Sequence, residues 1–128
     1  MTLLKALTGF IIASEKATTD GVDIFRDYTP EDPDHIVVLN EYAGDSDAPH
    51  DDAVHRSVQI LVRDNSPVVA KQKATDIYKL LKTDNRIVHF NSEWWGQVYL
   101  RQTPFKVRTD ANDRVLYGFN AGITTRID

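Results

Sequence analysis

Between Thr2 and about Lys16, Leu3, Leu4, Leu7, Phe10 and Ile11 fall at the i, i+3, i+4, i+7, i+8 positions of one helical face. Thr2 stands where a side-chain oxygen can cap the first free amides. Ala17 to Gly21 then reads as a turn and Val22 to Phe25 as a short strand. Tyr28 to Asp34 is broken by Pro30 and Pro33 and rich in acids, which predicts a loop. At His35 the period changes to two. His35 to Tyr42 is a β-branched strand with Ile36, Val38 and Tyr42 on one face and Val37 and Leu39 on the other. Apolar residues on both faces predict a strand covered twice, by a helix on one side and by a second sheet or a neighbouring subunit on the other.

Ala43 to Ala53 is a loop of Gly, Pro, Asp and His. Val54 to Arg63 alternates again, Val54, Val58, Ile60 and Val62 inward, Ser57, Gln59 and Arg63 outward, with Leu61 breaking the polar face. Asp64-Asn65 ends it. Ser66-Pro67 is a helix start, because the serine oxygen satisfies free amides and proline at the first helical position loses nothing. That helix runs to about Lys82 on a stripe of Ala70, Ala74, Ile77, Tyr78 and Leu81, with Lys71, Lys79 and Lys82 on its wet side. The remainder reads as strands at Arg86 to Phe90, Gly96 to Gln102, Phe105 to Arg108 and Arg114 to about Thr125, the last two joined by a turn at Asp110 to Asp113. In the final strand Val115, Tyr117, Phe119, Ala121 and Ile123 alternate with Leu116, Gly118, Asn120, Gly122 and Thr124, the pattern of a one-faced antiparallel strand. The order predicts an α+β domain, a mainly antiparallel β-sheet with two α-helices packed on it, spanning residues 1–128 as a single unit.

Composition changes this picture little. The 128 residues are 41% hydrophobic and 27% charged, values of an ordinary core-forming domain. Cysteine is absent, which excludes a disulfide framework, a thiolate metal site and a thiol nucleophile. The longest apolar run, Gly9 to Ala13, is too short for a bilayer, and Met1-Thr2 lacks the basic start of a signal peptide, so a soluble, unprocessed protein with no membrane partner is expected. Charge is more informative. The formal net charge of −4 divides into 3 basic and 12 acidic residues through Asp52, and 12 basic and 7 acidic from Ala53 onward. Such a balance argues against non-specific nucleic-acid coating. It fits either acids in solvated loops or unlike ends of identical subunits meeting head to tail.

Candidate chemistry is sparse. His50, Asp51, Asp52 and His55 are metal-ligand types in one loop, but the imidazoles are five apart with no helix to bring them together. They leave open a small metal-dependent hydrolase, which a chelator-sensitive activity lost in His55→Ala would identify. His35 and His89 have no serine and acid at triad spacing, and no phosphate-cradling glycine motif occurs. Lys71, Lys73, Lys79, Lys82, Arg86, Arg101, Lys106 and Arg108 are candidates for a basic surface. Trp94 and Trp95 are adjacent, so in a strand or turn they point to opposite sides and at most one enters the core. The other caps a hydrophobic edge or anchors an interface.

The stretch Pro30-Glu31-Asp32-Pro33-Asp34-His35-Ile36-Val37-Val38-Leu39-Asn40-Glu41-Tyr42-Ala43-Gly44 resembles the P-x-x-P-D-x-x-V-x-L-x-x-Y-x-G region of tail terminator or minor capsid proteins of long-tailed phages and prophages. The likeness continues through Val58 to Arg63 and the helix carrying Ala70, Ala74, Ile77 and Leu81, roughly the first two-thirds of the chain. The resemblance implies a non-enzymatic α+β virion subunit with no cofactor, catalytic residue or metal, assembled in the bacterial cytoplasm. Its partners would be its own copies in a hexameric ring, the tail tube protein and a head-connector protein, with genome DNA passing through the lumen without specific binding. The nearest alternative is a head-completion or stopper protein of the connector, and a monomeric cytosolic adaptor is a third. Ring and docking contacts are expected on the loops around Asp27, Glu31 and Asp34 and around Asp45 and Asp47, which read as long projecting loops, and at Trp94 or Trp95.

Overall fold

A computed structural model describes residues 2–14, 16, 17, 19–42 and 53–126. Among them the elements are α1 (Leu3–Ala13), β1 (Ile24–Arg26), β2 (Ile36–Tyr42), β3 (Ala53–Asp64), α2 (Pro67–Leu81), β4 (Ile87–His89), β5 (Trp95–Leu100), β6 (Phe105–Thr109) and β7 (Val115–Arg126). The caps form as the sequence predicts. Thr2 accepts from the Lys5 amide and Ser66 from the Val69 amide, with Pro67 in the first turn of α2. Helix α1 ends at Ala13, short of Lys16, and β1 begins at Ile24 because Gly21 to Asp23 form the turn before it.

The seven strands make one α+β sheet in the order β1-β2-β3-β7-β5-β4, with β6 also on β7. Strands β3 and β7 pair antiparallel from Ala53↔Arg126 to Asp64↔Val115 and form the spine. Strands β5 and β6 share the opposite edge of β7, one facing Ala121 to Thr125 and the other Val115 to Gly118, so they are one long strand interrupted at 101–104. Only β1 and β2 pair in parallel among the described strands.

Both helices lie on one face, α1 over β1 and β2 and α2 over β3 and β7. Ala70, Ala74, Ile77 and Leu81 are buried, and the two alanines let α2 approach closely. They pack with Leu3, Leu7 and Ile11 from α1 and with Val37, Leu39, Val58, Ile60, Val62, Phe119, Ala121 and Ile123 from the sheet. Each large side chain buried this way contributes about 1.5–3 kcal/mol relative to exposure. Tyr78 of α2 meets Phe119 edge-on, with ring centroids 5.4 Å apart.

The outer face differs from the sequence expectation. Ile36, Val38, Leu61 and Leu116 form a second buried cluster there, with Phe25 and Val107 packed on it. Leu61 therefore does not break a polar face but joins an apolar one, and Leu116 makes the start of β7 two-faced. On this face the chain supplies cover of its own. Because β1 and β2 run in parallel, the chain must return from the end of β1 to the start of β2, and residues 27–35 make that return. They lie against outward-pointing Arg63 and Arg114 rather than projecting, and Pro30 within them is buried.

Candidate functional site

Two features occupy the outer face of the sheet, at opposite ends of β3 and β7. The first is this strap of residues 27–35 and the arginines beneath it. Arg63, expected to point outward into water, is 3% exposed. Its guanidinium donates to the carbonyls of Pro30 and Pro33, both at 2.6 Å, and of Glu31 at 3.2 Å. Arg114, 4% exposed, donates to the Glu31 carbonyl, to Asp110 Oδ2 at 2.9 Å and to Asp34 Oδ1 at 3.3 Å. A guanidinium suits this task because its planar fork reaches several acceptors at once. The Asp32-Pro33 peptide is cis.

Electrostatics follow from the packing. Burial lowers the Arg63 pKa, reinforced by the nearby charge of Arg114. Burial acts on Arg114 too, but Asp110 and then Asp34 outweigh it and hold the pKa above the usual arginine value. The Asn65 amide holds the Asp34 carboxyl below its ordinary range, and Arg114 adds to that effect. Burial raises Asp110, yet the backbone amides of Arg114 and Asn112 and the Arg114 side chain bring it down overall. At the edge of the strap His35 Nδ1 and Asp64 Oδ2 are 2.6 Å apart.

The second feature is a shallow depression of about 430 Å³ at the other end, lined by His55, Arg56, Ser57, Tyr99, Arg101, Gly122, Ile123 and Thr124. Pairing places Tyr42, Ser57, Gly122 and Tyr99 in one row across the sheet, and His55, Thr124 and Gln97 in the next. Gly122 creates the trough. A Cβ there would stand 3.1 Å from Arg101 Nη2, closer than ordinary contact, so glycine leaves the room in which the Arg101 side chain lies and donates to Ser57 Oγ at 3.1 Å. Arg86 stands over the Tyr99 ring, 5.2 Å from its centroid. Tyr42, Tyr99 and Trp95 are each about 40% exposed around this trough.

The residues singled out in the sequence separate into three groups. Asp27, Glu31 and Asp34 share the strap, but two of them are internal ties: Asp27 Oδ1 accepts the Glu41 amide at 2.9 Å, and Asp34 holds Asn65 and Arg114. Glu31 Oε2 accepts from Asn112 at the exposed surface. Trp94 packs against the main core while Trp95 remains exposed, the division that their adjacency predicts. Asp45 and Asp47 lie outside the described residues, as do His50, Asp51 and Asp52. His55 is in β3 with its ring against the Thr124 hydroxyl, and among the described residues no group of three His, Asp or Glu is placed to hold a metal. The candidate basic residues do not form one surface. The lysines of α2 stand on the helix side of the sheet, whereas Arg101 and Arg108 belong to the outer face.

Sequence reasoning missed the roles of Arg63, Arg114 and Ser57, and named Arg101 only as one member of a basic surface. Alternation assigns the first three to a side but not to a depth. Only the return path of a parallel connection shows that chain covers Arg63, and only the glycine in β7 shows that Arg101 covers Ser57, which is 2% exposed.

A family model described as "Bacteriophage tail terminator protein" matches residues 11–127, from the end of α1 through β7. Comparison with curated proteins gives no match.

Proposed function

The chain belongs to the bacteriophage tail terminator protein family, and from that membership we propose that it forms a ring on the end of the completed tail tube, stops tube polymerisation and offers the surface on which the head connector docks. The family makes it a virion component with a structural task. The observation that carries the proposal is the extent of the match, which takes in every strand of the sheet and all of α2.

Geometry supports the reading. Among the described strands the sheet ends on β1 and β4, three residues each, and β6, five residues and paired only with β7, so every edge is too short to template long strand additions. Assembly then falls to faces and loops. The two ends of the outer face carry different chemistry, an acidic strap and a trough with cationic and aromatic side chains. Unlike surfaces on one subunit give heterologous contacts, which close into a ring when the rotation between neighbours closes. In this reading the work is geometric, one side of the ring copying the tube's subunit-binding surface and the other refusing a further tube ring, with DNA passing through the lumen.

The test is assembly. The tail tube protein of the same phage is polymerised with and without the chain, and lengths and ends are measured by electron microscopy. A six-fold ring at one end with growth arrested is the expected result. Tubes of unchanged length with bare ends would overturn the proposal, and binding to portal complexes in place of tubes would turn it into that of a stopper.

A further inference from the structure

We propose that the acidic strap of one subunit seats in the Arg101–Tyr99 trough of the next copy. This rests on the ring reading and specifies its contact. The strap presents Glu31 and Asp32 on an exposed surface, and the adjoining β6–β7 turn adds exposed Asp113. Its backbone is fixed from beneath by Arg63 and Arg114, so it meets a partner with its shape already set and little ordering entropy left to lose.

The trough has the complementary charge. Arg86 and Arg101 form no ion pair among the described residues: one is stacked on Tyr99, the other laid across Gly122 with Nη2 on Ser57. A guanidinium held flat beside a tyrosine matches a carboxylate in both charge and geometry. The flanking Tyr42, Tyr99 and Trp95 are the rigid amphipathic side chains enriched in protein interfaces.

A subunit's own strap does not reach its own trough. From Arg63 to Ser57, on which Arg101 lies, is six residues along β3, about 20 Å at the rise of an extended strand, more than twice the screening length of about 8 Å at physiological salt. The strap is also tied down at the Arg63 end. The matching acids therefore come from a second copy, oriented head to tail.

The test uses charge reversal at two exposed positions, Arg101→Glu and Asp32→Arg, in the full chain. Unchanged melting temperatures confirm folding. Ring formation on tube ends is read by electron microscopy, and association by sedimentation. Each single change is expected to weaken association by at least about tenfold, and the double change to restore it to within about threefold of the unmodified chain. A second readout exploits the absence of native cysteine: Asp32→Cys with Arg101→Cys and a short bis-maleimide should give a ladder of products up to the full ring, whereas each cysteine alone stops at dimers.

Bare tube ends with the unmodified chain would remove the ring reading and this contact with it. Rings that form normally with either single reversal, or a ladder ending at dimers, would overturn the contact alone. So would loss of rings in Asp45→Arg/Asp47→Arg when Asp32→Arg has no effect, or an Arg101→Glu variant that loses duplex DNA binding while its rings stay intact.

Discussion

Replacing Arg63 with methionine isolates what the strap contributes. Methionine matches the length of the aliphatic stem but makes none of the three hydrogen bonds to the carbonyls of Pro30, Glu31 and Pro33. Hydrogen bonds from a charged donor contribute about 1.5–3 kcal/mol each. Full loss of three would be an overestimate, since the Glu31 carbonyl keeps its bond from Arg114 and the carbonyl of exposed Pro33 can bind water once released. Pro30 is buried, so its carbonyl bears the larger penalty. The substitution also removes the cost of burying a cation that is 3% exposed. Together these give a net loss of about 2–4 kcal/mol. For a chain of 128 residues that corresponds to a fall in melting temperature of roughly 6–20 °C. Calorimetry measures the fall, and amide exchange locates it: residues 28–35 should lose protection before β3 and β7 do. Arg63→Lys, which keeps the charge but not the fork, should lie between the two. A methionine variant melting within about 2 °C of the parent, with the strap amides as protected as before, would refute the clamp as the source of the strap's order.

Three further outcomes follow from the same structure. Asp34 and Asp110 have folded-state pKa values below the ordinary aspartate value, so their contribution to stability is fully present above about pH 4 and disappears as pH falls through the lowered values. Protease cleavage of the strap should be flat from pH 5 to 8 and rise below pH 4, and a rise already at pH 6 would contradict this assignment. Gly118→Ala would place a Cβ 2.3 Å from the Ile60 carbonyl oxygen, a clash with backbone that a rotamer change does not relieve, so denaturant unfolding should show a loss of about 3 kcal/mol or more, or no folded protein. Gly9→Ala has open space around it on the exposed side of α1 and should stabilise by about 0.5–1 kcal/mol in the same assay.

Much of the architecture was legible because period and punctuation agree. Helix α2 matched closely, since Ser66, Pro67 and the stripe from Ala70 to Leu81 are three independent signals for one element. Strands β2, β3 and β7 fell where alternation placed them. The outer face was not legible, for a physical reason. Side-chain period reports which way a residue points but not what lies above it, and Ile36, Val38, Leu61 and Leu116 come from three strands whose adjacency only the fold supplies. The same limit hid Arg63, whose charge suggests solvent and whose three acceptors lie 30 to 33 residues earlier in the chain. Of the expected contact residues, Trp95 and Glu31 are exposed as an interface requires, whereas Asp27 and Asp34 are used internally to fasten the strap.

The twelve-residue pairing of β3 with β7 also has a mechanical meaning. Arg63 of the clamp and Ser57 and Gly122 of the trough lie on these two strands, so a pull between neighbours engaging both ends would run lengthwise along the pair. The ladder's hydrogen bonds lie across that direction and would be loaded together, in shear, instead of parting one after another as in peeling. A subunit built this way resists stretching along the strands far better than prying across them.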